Sequence, residues 1–167
     1  MCEENSADGS LTMIEIIHSA TAAHIETTRR LFREYNAYLG VDLDFQGFDD
    51  ELKSLPGKYA PPAGSLLLAI QGGETVGCVA LRKLEEGVCE MKRLYVVPAY
   101  RGRGAGRILA EAIMREARRI GYAIMRLDTL DTLCEAMRLY ESLGFKKRSS
   151  YYHNPLDGAV YWEISLL

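Results

Sequence analysis

Between residues 88 and 120 the chain runs from VCEMKRLYVV through PAYRGRGAG into RILAEAIMREARRI, so a glycine-rich turn lies directly between a strand pattern and an amphipathic helix pattern. Pro98 stops the strand. Ile108, Leu109, Ala112, Ile113, Ala117 and Ile120 form one helical face, and Gly121 ends it. Glycines in RGRGAG let the chain turn tightly and bring bare backbone N–H groups together. The helix start adds more unpaired N–H groups and a partial positive field, a combination that binds phosphate. Arg101, Arg103 and Arg107 add positive charge, so the expected ligand is a phosphate-bearing cofactor. The turn lacks the GxxxxGK[ST] pattern, and its GxGxG spacing is a poor match to the dinucleotide fingerprint. A purely structural glycine turn is the plain alternative.

The elements around this turn alternate in period. TMIEIIH at 12–18 reads as a strand, and 22–39 as a helix with Ile25, Thr28, Phe32, Tyr35 and Leu39 on one face, ended by Gly40. A short helix is expected at 46–55, then a loop through LPGKYAPPAGS, whose prolines and glycines forbid a long helix. SLLLAIQ at 65–71 and TVGCVALRKL at 75–84 form a hairpin about Gly72-Gly73. After the central helix, YAIMRLDTL at 122–130 reads as a strand, and Asp131 is expected to cap a helix carrying Leu133, Ala136, Met137, Tyr140 and Leu143. A terminal hairpin ending in AVYWEISLL closes a mixed α/β domain.

The length of 167 residues suits one domain with a core that needs no disulfide or metal. MCEENSADGS at 1–10 reads as a disordered tail and 11–167 as the domain. A formal net charge of -3 gives no sign of a broad nucleic-acid surface. Cysteines 2, 78, 89 and 134 show no CxxC or CxxH spacing and read as thiols in a reducing compartment. No metal site is expected. The absence of a signal-peptide pattern and of a membrane-length apolar run points to a cytoplasmic protein with no membrane partner.

The run LYVVPAYRGRGAGRIL resembles the central motif of the GNAT acetyltransferases, Arg/Gln-x-x-Gly-x-Gly/Ala after a strand, with Arg101, Gly104 and Gly106 at the matching positions. Downstream, AMRLYESLGF at 136–145 is similar to that family's Ala-x-x-Leu-Tyr-x-x-x-Gly-Phe segment. Two motifs in this order, with a fitting element order from 12 to 167, extend the resemblance over nearly the whole chain. It implies a mostly antiparallel mixed sheet flanked by helices, with splayed central strands. It implies acetyl-CoA as cofactor, its pyrophosphate held by backbone N–H groups of Arg101, Gly102, Arg103, Gly104, Ala105 and Gly106. Leu94, Tyr95, Val96 and Val97 would line the pantetheine, with Thr129 and Leu130 opposite. A backbone N–H near Tyr95 or Val96 would meet the thioester carbonyl. Tyr140 matches the tyrosine that faces the coenzyme sulfur and protonates the thiolate, although spacing alone reads it as a helical core aromatic. Leu133 stands where many members carry asparagine, which weakens any borrowed substrate assignment.

A protonated amine cannot attack a thioester, so something must take its proton. Glu90 is the expected base, because alternation puts Glu90, Lys92, Leu94 and Val96 on one strand face. The alternative is a residue salt-bridged beside Lys92. Glu34 and Tyr35 on the first helix, with Tyr152 and His153 in the YYHNP loop, are the expected acceptor contacts; surface exposure or core packing is the plain reading of each. The expected reaction is direct acetyl transfer to a primary amine of a small molecule or amino acid in a ternary complex. A peptide or protein acceptor, a non-catalytic acetyl-CoA sensor and a homodimer stay open. A covalent step through Cys89 or Cys134 lacks a visible base partner.

Overall fold

The computed structural model describes residues 13–167; the expected tail at 1–10 lies outside the described residues. Within them seven strands form one sheet: β1 Glu15–His18, β2 Ser65–Gln71, β3 Glu74–Glu85, β4 Val88–Val96, β5 Ile124–Leu130, β6 Lys146–Arg148 and β7 Ala159–Ser165. Their order is β1-β2-β3-β4-β5-β7-β6. Among the described residues only β4 and β5 pair in parallel, and every other neighbouring pair is antiparallel. The crossover between the parallel strands is the glycine turn and its helix, as a parallel connection requires.

Among the described residues four α-helices cover the sheet: α1 Ala22–Leu39, α2 Phe48–Ser54, α3 Ala105–Ile120 and α4 Cys134–Ser142. The Thr21 hydroxyl starts α1 by accepting the His24 N–H at 3.1 Å, and Gly40, at φ 65, ends it in the left-handed conformation. Helix α3 buries Leu109, Ala110, Ile113 and Ala117 against one sheet face, where Leu81, Met91, Met125 and Leu127 meet them. The opposite face carries a second core, built from Leu31 and Phe32 of α1, Phe48 and Leu52 of α2, and Leu66, Leu68 and Tyr95 of the sheet. Each layer thus buries one stripe of each helix, which is what the 3.6-residue spacing demands. Among the described residues no helix is long and apolar enough to cross a membrane.

Two expectations need correction. Helix α4 begins at Cys134, with Leu133 as its N-cap and no side-chain cap bond. Asp131 sits too early to cap it; its N–H instead donates to the Gly158 carbonyl at 2.8 Å, tying the end of β5 to the last loop. The second concerns β4, where strict alternation fails. Cys78 pairs with Tyr95 but Ala80 pairs with Lys92, so Arg93 and Leu94 together oppose Val79. This is a β-bulge, and Arg93 takes φ 59 within it. The extra residue reverses the facing of everything beyond it. Leu94 and Val96 pack toward the α3 core, whereas Glu90 and Lys92 bond with groups on the α1 side. The four residues therefore do not share a face.

Candidate active site

Strands β4 and β5 are paired only where Val88, Cys89 and Glu90 meet Ile124, Met125 and Arg126. Beyond that point they separate, and the gap opens a cleft of about 440 Å³. Leu94, Tyr95 and Val96 line one wall and Thr129 and Leu130 the other. The turn residues Arg101, Gly102, Gly104, Ala105 and Gly106 close one end. Tyr140 reaches the cleft from α4, and Tyr35, Tyr38, Gln46, Lys92 and Asp128 surround the α1 side.

The turn end presents a set of N–H groups of the kind that can receive an anion. Arg101 N–H donates to Pro98 and Ile108 N–H to Gly104, and among the described residues no backbone carbonyl receives the N–H groups between them. Gly102 and Gly104 hold φ 77 and 87, which aligns those N–H groups without a side chain in the way. A Cβ at either would meet nothing within 4 Å, so the space beside them is open. Gly104 starts α3 with no side-chain cap, leaving the helix N-terminus to the ligand. Arg101 is anchored rather than free. Its Nε donates to the Val96 carbonyl at 2.9 Å, and its guanidinium lies 4.2 Å from the Tyr38 ring centre. The donor set fits a pyrophosphate.

The β4 edge offers a second donor. Val97 N–H donates to Val76 on β3 at 2.8 Å. Alternation then turns the Val96 N–H toward the open edge facing β5. Of the two positions expected from sequence, Val96 has its N–H on the cleft side, and Tyr95 faces its β3 partner. Two other expected contacts lie off the cleft: Val97 packs into the α1-side core, and the Arg103 guanidinium rests over Tyr100.

Tyr140 is buried, 7% exposed, and packs on Phe145 and Trp162 while lining the cleft. Burial pushes its phenol well up, and the charges of Tyr35 and Asp128 push the same way. Tyr35 is likewise raised to about 12, first by burial, with Arg93 opposing and Asp128 adding. Both phenols keep their protons at neutral pH, and both feel Asp128.

Glu90 is not at this cleft. It is 0% exposed, its Oε1 accepts from Arg82 Nε at 2.8 Å, and its Oε2 accepts from Tyr151 at 2.6 Å. The bulge explains the displacement, since the strand face that carries Glu90 and Lys92 is not the face that carries Leu94 and Val96. Asp128 stands where the base was sought. Its Oδ2 accepts from the Tyr152 hydroxyl at 2.6 Å and from Asn154 Nδ2 at 3.4 Å, while Lys92 Nζ lies 3.5 Å from Oδ1. Gln46 bridges the group, accepting from Lys92 at 3.3 Å and donating to Tyr152 at 3.3 Å.

Of the expected acceptor contacts, Tyr35 lines the cleft. Tyr152 is set behind Asp128 and orients it. Glu34 pairs with Arg30 at 3.1 Å and also bonds the Tyr95 phenol, but neither it nor the exposed His153 lines the cleft. Cys78 and Cys89 are buried thiols, the second pushed up to about 12 by burial, and neither lines the cleft; Cys134 is exposed at its rim. Sequence reasoning did not single out Asp128, Lys92 or Gln46 as site residues, and all three line the cleft. An acid in the strand pattern IMRLDTL, next to Thr129, was the available signal for Asp128.

The family model described as the acetyltransferase (GNAT) family matches residues 26–145. The chain belongs to the GNAT acetyltransferase family. An uncharacterized N-acetyltransferase of Schizosaccharomyces pombe is 44% identical over 144 residues, covering 85% of this chain and 88% of the relative. An N-acetylaspartate synthetase of Xenopus tropicalis is 34% identical over 101 residues, covering 60% of this chain and 37% of the relative. The structure of yncA from Salmonella typhimurium with acetyl-CoA superposes with a TM-score of 0.70 at 21% identity, over 93% of this chain and 95% of that one. As a GNAT N-acetyltransferase the protein uses acetyl-CoA, and the N–H cradle at 101–106 fits that cofactor's pyrophosphate.

The cradle makes a direct prediction for this GNAT enzyme. A Cβ at Gly104 must adopt φ 87 and project beside the N–H groups. Gly104→Ala is expected to raise the KM for acetyl-CoA about 10-fold while leaving kcat within about twofold. Steady-state kinetics at saturating acceptor check this.

Proposed function

We propose that the protein transfers the acetyl group of acetyl-CoA to a primary amine of a small molecule or amino acid, by direct attack in a ternary complex. One observation carries the reading. Tyr140 and Asp128 line a single cleft, and the Asp128 charge is felt at Tyr140 and at Tyr35. The name of the Xenopus relative supports an amino-acid acceptor.

Acetyl-CoA supplies an activated acyl group on a good leaving thiol. The chain's own residues do the rest. Asp128 holds the incoming ammonium and receives its proton, so the amine attacks as a free base. The Val96 N–H stabilises negative charge that develops on the acyl oxygen. As the new N–C bond forms and the C–S bond breaks, the attacking nitrogen gives up its second proton to solvent, and the Tyr140 hydroxyl donates its proton to the departing sulfur and is refilled from solvent. Its raised pKa keeps that proton in place beforehand. Glu90 acts one layer back, 3.9 Å from Lys92 Nζ, as part of the charge balance beneath the pocket.

Thiol release from acetyl-CoA against separate pools of amines, amino acids and short peptides tests the proposal. The expected result is release that requires the amine or amino-acid pool and shows a sequential pattern in both substrates. Release that no pool raises above hydrolysis would sink it. Tyr140→Phe is expected to lower kcat about 10- to 100-fold with little change in the KM for acetyl-CoA. The loss is modest because a thiolate leaves readily without a proton.

A further inference from the structure

The acceptor end of the cleft carries two opposite charges side by side, and each has spare capacity. Lys92 is only 8% exposed yet lines the cleft. Its ammonium has three protons. Its contacts to Gln46, Asp128 and Glu90, at 3.3, 3.5 and 3.9 Å, are all long for charge-assisted bonds, which usually run about 2.7–2.9 Å. Asp128 divides its own load unevenly. Oδ2 takes the short bond from Tyr152 at 2.6 Å and a long one from Asn154 at 3.4 Å, and among the described residues Oδ1 has only the slack contact to Lys92. Tyr152 is itself locked by Asn154 at 2.9 Å, so Asp128 is held in place with one oxygen left over.

A cation with an unused proton beside a carboxylate with an unused lone pair is the mirror of a zwitterion. From this geometry we infer that the acceptor is an α-amino acid, its ammonium on Asp128 Oδ1 and its carboxylate on Lys92 Nζ, with an apolar or aromatic side chain. The inference rests on the acetyl-transfer reading above and narrows its substrate. A simple amine would satisfy Asp128 but leave Lys92 buried with only the long contacts to Gln46 and Glu90. A peptide or protein N-terminus lacks the adjacent carboxylate. The side-chain class follows from the remaining wall, where Tyr35, Tyr38, Leu39, Leu43 and Leu156 line the cleft on the same side. The arrangement also binds the reactive nitrogen through the oxygen that takes its proton.

The experiment compares L-phenylalanine with 2-phenylethylamine, and L-leucine with isopentylamine, as acceptors in thiol release. Each amino acid is expected to exceed its decarboxylated partner about 10- to 100-fold in kcat/KM, the worth of one charge-assisted hydrogen bond in a dry site. Lys92→Met is expected to bring the two within about threefold of each other, and Lys92→Arg to keep most of the preference. In parallel, L-phenylalanine, 2-phenylethylamine and 3-phenylpropanoate are titrated calorimetrically into protein saturated with coenzyme A. The amino acid is expected to bind at least about 10-fold tighter than either half-ligand. Amines that turn over as well as amino acids overturn this inference while the acetyl-transfer reading stands. Tight amino-acid binding without thiol release leaves the inference standing and fails that reading. No discrimination in calorimetry overturns the inference whatever the kinetics, and L-aspartate outpacing both amino acids overturns its apolar part.

Discussion

Asp128→Asn is expected to lower kcat/KM about 10²- to 10³-fold, with the KM for acetyl-CoA and the melting temperature little changed. Asparagine has the same shape, so the packing around β5 survives. Its amide must place oxygen toward the Tyr152 hydroxyl, which donates at 2.6 Å in the native protein. That choice turns the NH2 toward Lys92 and the incoming ammonium, where every group is already a donor. The acceptor then loses its anchor and its proton sink together. Only the fraction of amine that is already deprotonated in solution can react, so the variant's rate should climb about tenfold per pH unit below the amine pKa. Added hydroxide thus recovers what the carboxylate supplied. A kcat/KM within threefold of wild type at neutral pH would show that proton removal does not pass through Asp128. Glu90→Gln is a useful contrast. With Glu90 fully buried and bonded to Arg82 and Tyr151, its loss should act on stability before it acts on the pH profile.

The contrast between Glu90 and Asp128 marks where reading the sequence stops working. The helices were legible because their signals are local: α1 runs from Ala22 to Leu39 as its period predicts, and Gly121 ends α3. The glycine turn between β4 and α3 was legible for the same reason, since six consecutive residues and one helix start define it. Acceptor chemistry is different. It depends on which residues of β4 and β5 face α1, and a single bulge at Arg93 and Leu94 resets that facing. Nothing in KRLYVV distinguishes a bulged strand from a regular one, because the bulge is held by a partner 42 residues earlier in the chain. Gln46 is harder still. It reaches the pocket from a short 3-10 turn, Asp44–Gln46, and touches Tyr152 across 106 residues. Asp131 shows the opposite failure: a residue of the right type for a cap, two positions too early to serve as one.

The partner that holds the bulge gives the last expected result: Glu51→Ala should cost about 3–5 kcal/mol of stability and most of the activity with it. Glu51, on α2, and Arg93 are each 3% exposed and joined by two bonds, Nε to Oε2 at 2.9 Å and NH2 to Oε1 at 3.1 Å. Lys58 and the Tyr59 hydroxyl complete the carboxylate's shell at 3.0 and 2.9 Å. Burial alone would raise the Glu51 pKa, but the bonds and charges of Arg93 and Lys58 outweigh it and bring it down to about 2. A carboxyl lowered in the folded state stabilises the fold in full above its ordinary value near 4.5 and stops doing so as pH falls through about 2. Roughly 3 kcal/mol of wild-type stability should therefore disappear across that window, and Glu51→Gln should flatten the same limb. Denaturant unfolding at a series of pH values between 2 and 7 reads both. The double replacement Glu51→Leu with Arg93→Met separates charge from shape. Removing both ions can restore stability, yet it removes the anchor for a residue at φ 59, and with it the register that turns the Val96 N–H into the cleft. Stability recovered without kcat is the outcome that makes this pair a positioning device for the site. Recovery of both would reduce it to an ordinary buried ion pair, and an unfolding free energy for Glu51→Ala within 1 kcal/mol of wild type would remove the argument at its root.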